Sequence, residues 1–192
     1  MKRIGILGGS FNPVHAGHLM VASYVCQIAR LDEVWLSLSP ANPLKTGLAG
    51  ASDSDRLNML RIAVDGSESL KVCDAELSLP RPSYTLTLLD LLTEQYPDCS
   101  FRLIIGSDNW LLFDKWRDPD VIREKYGIIV YPRPGYEVEG ELPENVERVD
   151  SPTVNLSSTF VREAINRGID MNFFLPQGVY RYIKEHKLYE TL

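Results

Sequence analysis

Apolar residues fall along this chain in two alternating rhythms. Short runs at Lys2–Leu7, Glu33–Leu38, Leu70–Cys73, Phe101–Ile105 and Gly127–Tyr131 are closed off by glycine, proline or polar residues, and each is predicted as a buried strand. Between them the spacing changes to that of a helix. Leu19, Ala22, Cys26 and Ala29 recur along one face. Ser52-x-x-Asp55 has the form of a capping box for a helix running to about Ala63, and Tyr84 to Gln95 is a further helix. Ser39 to Leu48, punctuated by Pro40 and Pro43, reads as a loop. Beyond Pro134 the pattern weakens, and the acidic stretch Gly135 to Pro143 reads as surface loop. Ser157-Ser158-Thr159 then precedes a helix to about Arg167. Pro176 is expected at the first position of a last helix carrying Val179, Ile183 and Lys187-Leu188.

Strands that alternate with helices predict an α/β fold: a doubly wound, mostly parallel, Rossmann-like sheet with helices on both faces. A small C-terminal helical part, about 155–192, completes a single domain spanning 1–192. In such sheets ligands sit outside the carboxyl ends of the strands, near the switch in strand order. The candidate ligand segments therefore follow strands: Gly8 to His18, Ser39 to Lys45, Gly106 to Asp108 and Tyr131 to Arg133.

Composition narrows the partners. The 192 residues are 44% hydrophobic, enough for a core, and 24% charged. A net charge of −6 disfavours a nucleic-acid partner, which would call for a basic face. A small phosphorylated ligand needs only local donors and is not excluded. No apolar run is long enough to span a bilayer, and the apolar start stops at Gly8-Gly9 without a cleavage pattern, so no membrane partner and a cytoplasmic location are expected. Cys26, Cys73 and Cys99 are widely spaced, an odd count that suggests neither a disulfide framework nor a metal site. A homo-oligomer is left open.

The chemistry concentrates in Gly8-Gly9-Ser10-Phe11-Asn12-Pro13-Val14-His15-Ala16-Gly17-His18. Glycines at the end of a strand let backbone approach a phosphate, and a helix beginning near Gly17 adds its positive end. His15 and His18, three residues apart, share a face and can aim at one ligand. The same pair could serve a metal or merely open a helix, but no third or fourth ligand is evident, and no metal site is assigned. Ser157, Ser158 and Thr159 at a helix start form a second candidate anion site, with Arg162 one turn further in.

The first segment resembles the HxGH signature of the nucleotidyltransferase superfamily, and Asn155 to Arg162 resembles its C-terminal (S/T)SSxxR-type signature. Asn12 stands where many relatives carry Asp, and keeps hydrogen-bonding ability without the charge. Further segments resemble the nicotinate mononucleotide adenylyltransferases: Pro40-Ala41-Asn42-Pro43-Leu44-Lys45, with Asn42-Pro43-Leu44-Lys45 in place of the frequent PPHK; Pro82-Ser83-Tyr84-Thr85; Gly106-Ser107-Asp108; Phe113 to Trp116; Arg133-Pro134-Gly135; and the ending Pro176, Val179, Tyr182, Ile183, Leu188, Tyr189. The resemblance covers nearly the whole chain and is weakest between Tyr136 and Pro152.

It implies transfer of AMP from ATP to the phosphate of nicotinate mononucleotide, giving deamido-NAD and pyrophosphate by direct in-line attack. His15, His18, Lys45 and Arg162 would be catalytic. Gly8, Gly9, Ser10, Phe11, Gly106, Asp108, Ser157, Ser158 and Thr159 would join both histidines and Arg162 in binding ATP. Ser10, Asn42, Lys45, Tyr84, Thr85, Asp108, Trp116 and Arg133 would bind the mononucleotide, Trp116 by stacking on the pyridinium ring. Mg2+ would arrive through the ATP phosphates. The alternatives are the same chemistry on nicotinamide mononucleotide, phosphopantetheine or another phosphate acceptor, and a non-catalytic nucleotide sensor.

Overall fold

The computed structural model describes residues 1–40 and 50–190. Asn42, Leu44 and Lys45 lie outside the described residues. In chain order the elements are β1 (Lys2–Gly9), α1 (Ala16–Ile28), β2 (Glu33–Leu38), α2 (Asp53–Val64), β3 (Leu70–Cys73), α3 (Thr85–Gln95), β4 (Cys99–Gly106), α4 (Ser107–Trp110), α5 (Pro119–Tyr126), β5 (Ile128–Tyr131), β6 (Val146–Arg148), α6 (Ser158–Asn166) and α7 (Val179–Glu185). Short 3-10 turns lie at Ala75–Ser78, Phe113–Lys115 and Asn172–Phe174.

The six strands form one sheet in the order β3-β2-β1-β4-β5-β6, and every neighbouring pair is parallel. Parallel strands covered on both faces must be apolar on both, which is why these runs lack a polar alternation. Side chains still alternate between two cores. Val34, Leu36, Leu38 and Ile104 meet α1, α2, α6 and α7, while Ile4, Ile6, Leu103 and Ile105 meet α3 and α5. The expected doubly wound α/β sheet with helices on both faces is therefore present. Its C-terminal helices share the first core rather than forming a separate layer. Tyr182 on α7 reinforces that packing: its hydroxyl donates to Asp55 of α2 at 2.9 Å and accepts from Asn58 at 3.1 Å.

Two differences from the sequence pattern have physical causes. β6 carries no strand pattern in the sequence, because only three residues pair, on the edge of the sheet and in the weakly patterned stretch. The last helix begins at Val179, not Pro176, because Gly178 adopts a φ of 87° just before it, a left-handed conformation that interrupts helical geometry. Phe113, at 3% exposure, is the core residue of its segment, and Trp110 is half-buried and stacks on it. The Ser52 cap is as expected: its hydroxyl accepts from the Asp55 amide at 3.0 Å. Among the described residues, no helix is long and apolar enough to cross a membrane.

The strand order reverses direction between β1 and β4. That is the switch point, and the carboxyl ends of these two strands frame the site.

Candidate active site

A cavity of roughly 590 Å³ opens at this edge. Gly8, Gly9, Ser10, Phe11 and His18 line it from β1 and its following loop; Gly106 and Asp108 from β4 and α4; Thr85 from α3; Trp116, Tyr131 and Arg133 from the segments around β5. Parts of Gly8 to His18, Gly106 to Asp108 and Tyr131 to Arg133, with Ser39, Thr85 and Trp116, thus meet at one opening, whereas His15, Tyr84 and Ser157 to Arg162 are not among the described residues that line it. A narrower recess beside it is bordered by His15, His18, Arg133, Pro134 and Leu156.

The loop after β1 is shaped by sterics more than by its glycines. Phe11, not a glycine, takes the left-handed conformation, with φ of 42°. It does so while buried to 1% exposure, so packing holds a geometry that its own backbone disfavours. Gly8 and Gly9 continue the strand, paired with Ser37 and Leu38. A side chain at Gly8 would project into open space at the cavity wall, so glycine there keeps the floor clear for a ligand. At Gly106 a Cβ would lie 2.3 Å from an Asp108 carboxylate oxygen and 2.8 Å from Arg133.

His15 is the N-cap of α1, and its amide donates to His18 Nδ1 at 3.1 Å. The two rings stack with centroids 3.7 Å apart. Because Nδ1 of His18 accepts, a neutral ring carries its proton on Nε2. Burial lowers the His15 pKa to about 4, with the Arg133 charge adding to the effect. Burial also holds His18 well below the usual imidazole range, helped by His15 and then Arg133. Both rings are therefore neutral donors at pH 7 in the protein alone. A phosphate brought against them adds a negative charge that favours the protonated rings and raises both pKa values.

Arg133 is assigned from sequence to the mononucleotide side, yet its charge acts on both histidines and its Nε lies 3.8 Å from Asp108 Oδ1. It stands between the two halves of the cleft. That Asp108 oxygen is buried with no hydrogen-bond partner among the described residues, and so retains acceptor capacity.

The second anion segment has a different local role. Ser157 caps α6 by accepting from the Phe160 amide at 3.1 Å, and Ser158 donates to the Pro13 carbonyl at 2.9 Å. Arg162 donates to the Asn12 carbonyl at 2.7 Å and to the Thr159 hydroxyl at 3.3 Å. These groups grip the loop after β1. Arg162 is not among the described residues lining the main cavity, but its Nε is buried and unpartnered among the described residues.

On the opposite wall, Tyr84 is the residue before α3, leaving the first amides of that helix at Thr85 open to the cleft. The Arg117 guanidinium lies 4.5 Å from the Tyr84 ring centroid. Trp116 lines both the main cavity and an adjoining recess with Thr85 and Arg117. Among the described residues no group of three or more His, Cys, Asp or Glu side chains is placed to hold a metal ion.

Four residues at the site were not singled out from sequence. Asn12 Oδ1 accepts from the Tyr189 hydroxyl at 2.7 Å and the Ala51 amide at 3.2 Å, so an amide oxygen meets both donors without a carboxylate, and the sequence names neither partner. Glu76 accepts from Ser39 at 3.1 Å and Ser83 at 2.8 Å, and burial raises its pKa. Arg56 is buried to 1% on α2. A signal for Arg56 existed: it lies three and four residues before the fully buried Met59 and Leu60, on the apolar face. Tyr189 and Glu76 gave none, since their partners are remote in sequence or on loops.

The model of the cytidylyltransferase-like family matches residues 6–164 of the chain. A protein of Bacteroides fragilis strain YCH46, named a probable nicotinate-nucleotide adenylyltransferase, is 46% identical over 182 residues, covering 94% of this chain and 90% of its own. One of Bacteroides thetaiotaomicron with the same name is also 46% identical, covering 96% and 92%. The fold is shared with the nicotinic acid mononucleotide adenylyltransferase of Plasmodium falciparum solved in complex with NaAD, with a TM-score of 0.79 at 20% identity over 98% of each chain. By the family model and these relatives, the chain belongs to the cytidylyltransferase-like family and, within it, to the nicotinate-nucleotide adenylyltransferases.

Proposed function

We propose that the protein transfers the adenylyl group of ATP to the 5′-phosphate of nicotinate mononucleotide, releasing pyrophosphate and forming the deamido dinucleotide. The observation that carries this reading is the shared cavity. His18, stacked on the buried His15, and an open strand-end glycine lie on one wall, and a helix start with an aromatic shelf lies on the other. The relatives' names agree with it.

The acceptor's phosphate oxygen forms a bond to the α-phosphorus as the bond to the bridging oxygen of pyrophosphate breaks. The acceptor is already anionic, so no strong base is needed. The work left to the protein is alignment and stabilisation of growing phosphate charge. His18 Nε2–H and His15 donate to oxygens of the inner phosphates. Arg162, which holds the Asn12 carbonyl of the loop after β1, is assigned to the departing pyrophosphate, and Lys45 to the acceptor phosphate. Gly8, Gly9, Ser10 and Phe11 form the floor under ATP, with Gly106 keeping that side clear. Asp108 takes a ribose hydroxyl. The Thr85 amides receive the nicotinate carboxylate, which favours acid over amide because an amide NH₂ would face other donors. Trp116 stacks on the pyridinium ring.

Mg2+ carried by ATP would supply neutralisation of phosphate charge. The unpartnered Asp108 oxygen fits a water of its shell as well as a ribose hydroxyl. Pyrophosphate release with ATP and a panel of mononucleotides tests the proposal. Turnover on the nicotinate nucleotide well above that on the nicotinamide nucleotide is expected. Release with neither, despite ATP binding, would leave a nucleotide sensor instead.

A further inference from the structure

We infer that Arg56 is a positioning residue that sets the spacing between the donor and acceptor halves of the cleft, an inference that rests on the adenylyl-transfer reading. Its guanidinium is buried to 1% exposure, and two of its three hydrogen bonds leave its own helix. One Nη donates to the carbonyl of Ser10, in the loop after β1, and also to the carbonyl of Ser39, directly after β2, the latter at 2.9 Å. The other Nη donates to Asp53 Oδ1 at 2.7 Å. Asp53 Oδ2 in turn accepts from Arg81 at 3.1 Å, and Arg81 immediately precedes the segment Pro82 to Thr85 on the acceptor wall.

Ser10 and Ser39 both line the cavity. The guanidinium therefore spans the ends of two neighbouring strands and is coupled through Asp53 to the opposite wall. A planar fork with fixed donor directions holds two carbonyls at a set separation, which a flexible ammonium does not. Burying a charge is costly unless every partner is in place, and an apolar side chain would fill the same core position more simply. What the charge adds is a fixed distance between segments that bind different substrates. In-line transfer depends on that distance, because an error near 1 Å in the placement of reacting groups costs roughly a hundredfold in rate.

The test compares Arg56→Met, which preserves bulk, and Arg56→Lys, which preserves charge, with Met59→Ala, which destabilises the same helix without touching these bonds. Steady-state kinetics with ATP and nicotinate mononucleotide are measured alongside thermal midpoints and amide hydrogen exchange. Expected for Arg56→Met is a fall in kcat of roughly a hundredfold with both KM values changed about threefold or less. Arg56→Lys recovers part of that rate and serves alone if Arg56→Met does not fold. Met59→Ala keeps kcat near wild type despite an equal or larger loss of thermal midpoint. Exchange of the amides around Ser10 and Ser39 quickens in the Arg56 variants and not in Met59→Ala. Unchanged kcat in both Arg56 variants, or a kcat loss matched by Met59→Ala, overturns the inference. If the wild-type protein releases no pyrophosphate with the nicotinate nucleotide, the adenylyl-transfer reading fails by itself. The exchange pattern then still decides whether Arg56 braces the two strand ends, and equal exchange in all variants refutes it.

Discussion

The two walls of the cleft are held to different standards. On the donor side, Phe11, Val14 and His15 are all at or below 3% exposure. The carbonyls of Ser10, Asn12 and Pro13 are gripped by Arg56, Arg162 and Ser158, side chains from two different helices. On the acceptor side, Tyr84 is 38% exposed, Trp116 is half-buried, and the contact joining their segments is an exposed cation over a ring. Charge stabilisation works best when dipoles are fixed before the reaction, so a phosphate-binding wall gains from heavy bracing. Recognition of a flat ring by stacking tolerates more freedom, and the surface contacts there contribute little to stability.

That contrast can be broken most severely at His18. His18→Ala is expected to lower kcat about 10²–10³-fold while leaving the fold intact, as loss of a preorganised donor does. Near-normal turnover would remove the donor-wall account. A pH titration of stability follows in size. The His15 pKa is depressed in the folded protein, so between about pH 6.5 and 4 the unfolded chain binds more protons than the folded one. Stability is thus full above pH 6.5 and falls as pH drops to about 4, by about 3 kcal/mol from this residue, with His18 adding in the same direction. Denaturant melts with and without ATP check it, and the loss should shrink with ATP, whose phosphates raise both pKa values.

Trp116→Ala tests the lighter wall. It is expected to raise the KM for the mononucleotide about tenfold to thirtyfold, with the KM for ATP changed little, in line with the worth of one stacked base. An equal rise for both substrates would mean that the ring supports the core and not the acceptor. The smallest effect is expected from Tyr189→Phe. Removing the hydroxyl that reaches Asn12 forfeits about 1 kcal/mol, read as a modest drop in thermal midpoint and a several-fold fall in kcat/KM for ATP. A change confined to the mononucleotide would contradict the assignment of this latch to the donor wall.

Local pattern carried the sequence a long way. The strands β1 to β5, the helices α1, α2, α3 and α6, and the placement of Gly8 to His18 and Gly106 to Asp108 at strand ends were legible because each depends on residues within a few positions of one another. The same holds for the shared face of His15 and His18, three residues apart, although the stacking of their rings shows only in the structure. What tertiary structure alone decided was which distant groups meet. Tyr189 reaches Asn12 across 177 positions, Arg162 reaches the same residue's carbonyl across 150, and Arg56 reaches Ser10 across 46. A hydroxyl or guanidinium has no periodicity that announces its partner, and burial that shifts the histidine pKa values depends on every element packed around them. The sequence by itself therefore determined the sheet, the strand-end loops and the chemistry offered there; packing of α2, α6 and the chain's end against the first loop determined how firmly that chemistry is held.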